Sequence, residues 1–278
     1  MRIPPAGNLP GGRPTEFVHP YGPLRPIVEL VQASLRAQPD LALCAPSRTC
    51  AARRPSLLSS SRPRRPVSFF VNHSGRVLAL AAMHGWLPGA RYTNLRDVRR
   101  FDRLGFLDID WKHYSFASHL AAAKSTSPLL TVARDIEQRS DLPRILDQAY
   151  ELSVHCERVA IVPKDPLLAL DLDNVVPHAF ILGYSVPTRY GGTPIAPAHF
   201  RRPVHLLGGR PDVQRRLAQL MPVISADCNR FTIDAAYGDY FDGTTFRPHP
   251  QGGYERCIVA SLRNITRLWT DYTAGSTR

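Results

Sequence analysis

The chain has no apolar run approaching the roughly 20 residues that a membrane-crossing helix needs, so no such span is expected. No clean apolar core follows the first charged residue, so a secretory leader is not expected either, and the reading is cytoplasmic. The five cysteines, Cys44, Cys50, Cys156, Cys228 and Cys257, form no CxxC pair and no cluster with zinc-ligand spacing. Their odd, scattered placement fits reduced thiols and argues against a disulfide framework. Cys156 and Cys257 have no plausible base or metal partner and read as packing thiols. No GxGxxG follows the first apolar run, which counts against a dinucleotide-binding sheet. Acidic residues are the scarcer charge. There are 23 Asp and Glu against 35 Lys and Arg, a formal net charge of +12. That excess favours a polyanionic partner, nucleic acid first, although a basic tail on a neutral enzyme would give the same sum.

What is present divides near residue 67. Twelve of the 26 prolines fall in residues 1–66, together with ten arginines and no lysine. The stretch RTCAARRPSLLSSSRPRRP cannot bury enough apolar surface to offset its chain entropy, so disorder is expected there. Residues 26–38, PIVELVQASLRAQ, suit one short helix. Residues 67–278 form the second unit, long enough to bury a core.

From residue 77, short apolar runs alternate with amphipathic stretches. The runs are VLALAAM (77–83), GFLDID (105–110), LLTVARDI (129–136), RVAIVPK (158–164), HAFILGYS (178–185), VHLLGG (204–209) and VISADCN (223–229). An eighth is available at VSFFV (67–71). Residues 141–156 place Leu142, Ile145, Leu146, Ala149, Tyr150 and Leu152 at helical spacing, and residues 210–221 do the same with Val213, Leu217 and Leu220. Continuous apolar strands separated by helices are the pattern of buried parallel strands. Eight of them predict an α/β chain folded as a compact (β/α)8 TIM-like barrel, with a doubly wound open sheet as the alternative.

A barrel keeps its chemistry at the C-terminal ends of the strands. In the runs above those ends carry His84 and Trp86, Asp108 and Asp110, Asp135, Lys164, Gly183 to Ser185, Gly208 and Gly209, and Asp227 to Asn229. Asp108 and Asp110 are two apart, which puts both carboxylates on one strand face, where they could share a proton. In a second reading Asp110 caps the following turn and Trp111 packs. Asp135 suits the donors of a purine edge, or an N-cap, or a salt bridge to Arg134. Gly183, Tyr184 and Ser185 lead into a Gly-Gly loop that lets backbone approach a flat ligand. His84, Trp86, Arg91, Tyr92, Asn94 and Arg96 interleave aromatics with arginine, the composition for stacking bases and meeting phosphates. The same residues would also serve as core and a solvated helix face.

With those residues quoted, the chain resembles the tRNA-guanine transglycosylase superfamily over roughly residues 77–245. It is most similar to the DNA-modifying branch, the DpdA-like 7-deazaguanine DNA transglycosylases of phages and genomic islands. LDIDWK stands where that family has LDSGGF, so Asp108 aligns best and Asp110 is its neighbour. Asp135 fits the family's base-recognition Asp, LGYSVPTRYGG its glycine-bearing loop, and HLLGG a following strand. Asp227-Cys228-Asn229 stands where the tRNA enzymes carry their nucleophilic Asp in DCV. The CxCxxC…H zinc module of the tRNA enzymes has no counterpart. The resemblance implies exchange of guanine in DNA for a 7-deazaguanine such as preQ0, through a covalent Asp–sugar intermediate. It implies Asp227 as nucleophile, Asp108 or Asp110 as acid/base, and Asp135, Gly183, Tyr184 and Ser185 around the base. His84, Trp86, Arg91, Tyr92, Asn94 and Arg96 would contact nucleic acid. It implies no metal and no cofactor, a bacterial or phage-infected cytoplasm, and leaves a homodimer open. An N-glycoside hydrolase on the same barrel and an inactive DNA-binding accessory protein are the competing readings.

Overall fold

The computed structural model describes residues 66–189, 191–272 and 274. The extension expected over residues 1–66 lies, but for Pro66, outside the described residues. Eight parallel strands close into a barrel in chain order. They are β1 (Ser68–Asn72), β2 (Leu87–Arg91), β3 (Phe106–Asp108), β4 (Leu130–Val132), β5 (Arg158–Ile161), β6 (Ile181–Ser185), β7 (Val204–Leu207) and β8 (Val223–Asp227). Around them run α1 (Gly75–Ala82), α2 (Phe116–Thr126), α3 (Leu142–Ser153), α4 (Leu172–Val175), α5 (Pro211–Leu217), α6 (Arg230–Ala236) and α7 (Tyr254–Leu268). Single 3-10 turns, Arg96–Val98 and Pro197–His199, stand in for helices after β2 and β6. An antiparallel pair, β9 (Asp239–Phe241) and β10 (Phe246–Pro248), precedes α7.

The strand expected over 77–83 is a helix instead. Its buried residues, Gly75, Val77, Leu78 and Ala81, follow a helical stripe. Alanine and leucine favour that choice, and an apolar run of seven carries no period to exclude it. The true second strand is LPGAR, which propensity disfavours because of Pro88 and Gly89. Pro88 still accepts the Gly105 N–H through its carbonyl at 2.8 Å. Gly89 has no side chain because Asn72 of β1 occupies that space; a Cβ there would collide with Asn72 Oδ1.

Register decides which side chains enter the barrel. Phe70 pairs with Asp227, Asn72 with Gly89, Arg91 with Asp108, and His205 with both Gly183 and Ser225. Laterally paired residues share a face, and i+2 neighbours return to it. The rings of Phe70 and Phe106 lie 5.6 Å apart and both pack on His205, which fixes this face as the interior. Trp86 instead packs outside the barrel, against Phe69 on the face of β1 opposite Phe70. It stacks on Phe69 at 4.8 Å, meets Phe231 edge-on, and donates from Nε1 to Thr266 Oγ1 of α7 at 3.0 Å.

Candidate active site

The strand ends bring three of the expected carboxylates to one mouth. Asp227 ends β8 and is buried. Its Oδ1 accepts the Gly208 N–H at 2.9 Å, a donor suited to a carboxylate. Two left-handed glycines, Gly208 (φ 61°) and Gly209 (φ 87°), turn the chain so that this N–H faces β8. A Cβ on Gly209 would also run into Val186. Gln214 of α5 locks the turn from behind. It is fully buried, and its Nε2 donates to Gly208 O at 2.7 Å and Asp227 O at 2.8 Å.

Asp108 ends β3. Its Oδ1 accepts the Ile109 N–H at 2.8 Å and its Oδ2 accepts Asn72 Nδ2 at 3.2 Å. Burial pushes its carboxyl up to about 7, and the charge of Asp227 adds to the push. The Ile109 N–H and Arg91 oppose it, while Asp135 contributes a smaller upward push. The result is a carboxyl that holds a proton near neutral pH, beside a second carboxylate.

Asn229 closes the ring of strands. Its Oδ1 accepts the Asn72 N–H at 2.8 Å, and the Cys228 N–H reaches Phe70 O at 3.0 Å, so β8 is tied to β1 at the mouth. A cavity of about 340 Å³ opens over this corner, lined by Asn72, Arg91, Asn94, Arg96, Asp108 and Asn229 among others. Arg91, Asn94 and Arg96 line this cavity, with Arg96 paired to Asp97 at 2.9 Å.

Asp135 follows β4 and pairs with Lys164 at 2.5 Å, and Lys164 lies 3.5 Å from Glu137. Burial raises its pKa, and Lys164 opposes that. The salt-bridge reading of Asp135 finds Lys164, from the end of the β5 run, in place of Arg134.

Five expected site residues are placed elsewhere. Asp110 lies beyond the end of β3, so strand periodicity no longer applies to it. Its Oδ1 accepts the N–H groups of Lys112 and His113 at 3.2 and 3.4 Å, which makes it the cap of the turn. Trp111 does not pack there; it is 64% exposed. Tyr92 is buried, stacks on His119 at 5.5 Å, and pins the loop after β3 by donating to His113 O and accepting from Ser115 N, both at 2.9 Å. Tyr184 points outward, between inward-facing Gly183 and Ser185, and its ring meets Phe200 at 5.0 Å. His84 and Trp86 precede β2 and therefore lie at the far end of the barrel, with Trp86 only 2% exposed and unable to stack on a base.

Gly183 is inside the barrel, where a Cβ would meet Val162 and Leu207. Ser185 is held by Thr193, whose Oγ1 accepts its N–H at 3.0 Å. Cys228 is buried and its thiol is pushed up to about 12, chiefly by burial; Cys156 is likewise at about 12. Neither is a poised nucleophile. Among the described residues, no three His, Cys, Asp or Glu side chains converge as a metal site would require, and no helix is long and apolar enough to cross a membrane.

The residues that sequence reasoning missed are Asn72, His205 and Gln214. Asn72 falls at the end of a strand given only as an eighth possibility. Gln214 is polar on an otherwise apolar helical stripe, the one signal that could have marked it.

The model of a family of unknown function, DUF6610, matches residues 81–270. The chain belongs to that family. The matched stretch includes Asp108, Asp135 and Asp227 and excludes Asn72. No curated protein matches the chain.

Proposed function

We propose that the protein is a base-exchange transglycosylase that replaces guanine in DNA with a 7-deazaguanine such as preQ0. The observation that carries this reading is the pair Asp227 and Asp108 at one barrel mouth in unlike environments. Asp108 holds a proton near neutral pH, and Asp227 is presented by a backbone N–H. Two carboxyls set apart in this way suit an acid and a nucleophile. The order of motifs along the chain supports the same assignment.

In this reaction Asp227 attacks C1′ of the deoxyguanosine. The C1′–N9 bond breaks, its electron pair leaves with the guanine, and Asp108 supplies the proton that neutralises the departing base. The sugar remains as an ester on Asp227. The incoming 7-deazaguanine gives its N9 proton to Asp108, and N9 displaces the carboxylate from C1′. Asp135, steadied by Lys164, faces the N–H donors of the purine edge. Arg91 and Arg96 meet the phosphates beside the cavity. The target base must leave the helical stack to reach such a mouth.

The test uses an oligonucleotide carrying labelled guanine, with preQ0 supplied, and mass spectrometry of both protein and nucleosides. The expected result is an adduct on Asp227, loss of label and gain of the deazaguanine nucleoside. Asp227→Asn abolishes the adduct and retains the fold. Release of free guanine with no base incorporated means a hydrolase instead. Asp227→Asn that still exchanges guanine removes Asp227 from its role.

A further inference from the structure

His205 lies on β7 inside the barrel and is fully buried. Phe70 of β1 and Phe106 of β3 pack on its ring, with centroids at 5.8 and 4.9 Å. Neither offers a conventional hydrogen bond. Its partner on β6 is Gly183, which has no side chain. On the β8 side, Nδ1 is 2.9 Å from Ser225 Oγ and Nε2 is 3.6 Å from Asp227 Oδ1. Nε2 is buried and makes no hydrogen bond of its own. An orphaned ring nitrogen in a dry interior is unfavourable and calls for a reason.

One proton arrangement suits both neighbours of the ring. Ser225 Oγ–H donates to Nδ1, the ring carries its proton on Nε2, and that N–H faces the Asp227 carboxylate. The other tautomer sets a bare nitrogen lone pair against the carboxylate oxygen. The 3.6 Å separation is about 0.6 Å longer than an ordinary N–H···O bond. A small rotation of the Asp227 side chain closes it, and contacts of this kind tighten when ligand is bound. Ser225 is only 5% exposed and lies two residues before Asp227, so the Ser–His–Asp series does not present a serine nucleophile to the mouth.

We propose that His205 is a positioning residue for Asp227. Its Nε2–H and the Gly208 N–H together hold Oδ1, and leave Oδ2, to which no described hydrogen bond goes, as the oxygen that meets the sugar. The proposal rests on the reading of Asp227 as nucleophile. While the sugar is esterified, Oδ1 is the carbonyl oxygen. When the second base displaces the carboxylate, negative charge returns to it, and both donors stabilise that charge. Asp227 is the titratable group against the ring, with Asp108 the next carboxyl beyond it.

Two measurements test this on the full chain. The first is long-range proton–nitrogen NMR of protein labelled with 15N-histidine, with the His205 signals assigned by their loss in His205→Gln. The expected spectrum has a proton on Nε2; a bare Nε2 overturns the proposal. The second is exchange kinetics. His205→Phe keeps the ring volume between Phe70 and Phe106 and removes the donor. It lowers kcat by about 100-fold with KM little changed. His205→Gln, whose amide restores a donor near the Nε2 position, recovers most of that loss. Equal loss in the Gln and Phe variants, both with native melting, also overturns it. A wild-type protein that exchanges no base sinks the proposed function alone, because the NMR result is read without turnover.

Discussion

Asn72 and Asp108 meet across the mouth without using up each other's bonding capacity. Asn72 Nδ2 donates to Asp108 Oδ2 at 3.2 Å, while Asn72 Oδ1 is buried with no partner. An amide offers a donor on one side and an acceptor on the other. The ionised carboxylate takes the N–H; the neutral acid can give its O–H to the amide oxygen after a flip. Asn72 therefore serves both states of a group that gives up and recovers a proton near pH 7.

The first prediction concerns pH. Exchange falls as pH rises through about 7, where Asp108 loses the proton it must give. The same group affects stability. Its pKa in the fold lies above the usual 3.8, so the folded state binds the proton more tightly. That contribution is complete below about pH 4 and is lost as pH rises through about 7. Asp108→Asn removes the dependence. Its stability relative to wild type rises between pH 5 and pH 8, by up to about 3 kcal/mol. Urea melts at both values check this, and a pH-independent difference between the two proteins contradicts it.

Gly89→Ala puts a Cβ against Asn72 Oδ1 and turns the amide away from Asp108. Exchange should slow by about 10-fold or more, a typical cost of misplacing a supporting group. Rates and melting temperatures measured together separate this from unfolding. An unchanged rate in a folded variant shows that Asn72 does not need its present place.

Gln214→Leu removes the donor shared by Gly208 O and Asp227 O. Leaving buried carbonyls unpaired costs about 1–3 kcal/mol. Because the Gly208 turn presents the N–H to Asp227, adduct formation slows as well. Chemical denaturation and the rate of trapping are the two readouts, and loss of stability alone limits Gln214 to the fold.

Trp86 and Arg91 should separate cleanly. Trp86→Ala empties a packed aromatic cluster and costs about 3–5 kcal/mol, yet leaves DNA affinity unchanged where the variant is folded. Arg91→Ala leaves stability nearly unchanged and lowers affinity, with a shallower dependence on salt. Binding isotherms at several salt concentrations decide it. Weaker DNA binding by folded Trp86→Ala would place Trp86 in the interface after all.

The barrel and its mouth were largely legible from residue order. The buried strands β3 to β8 read as continuous apolar runs, and Asp108, Asp135 and Asp227 fall at or just past their ends. The failures have local causes. VLALAAM has strand-like content but no period, and packing on α7 and β2 selects the helix. LPGAR carries two residues that strands avoid, and is a strand because Gly89 makes room for Asn72. Asp110 and Tyr92 looked like chemistry because their types suit it, and both are consumed in holding the loop after β3.

The sequence by itself determined that strands alternate with helices and that acids and glycines gather at one end of them. Strand periodicity and burial are local properties that a linear text records. Only the tertiary structure decided which groups face one another. Asn72 meets Asp108 across 36 positions, Gly208 meets Asp227 across 19, and His205 lies beneath Asp227 from a neighbouring strand. Those meetings depend on barrel register. A register shift of one residue would turn each of these side chains to the opposite face.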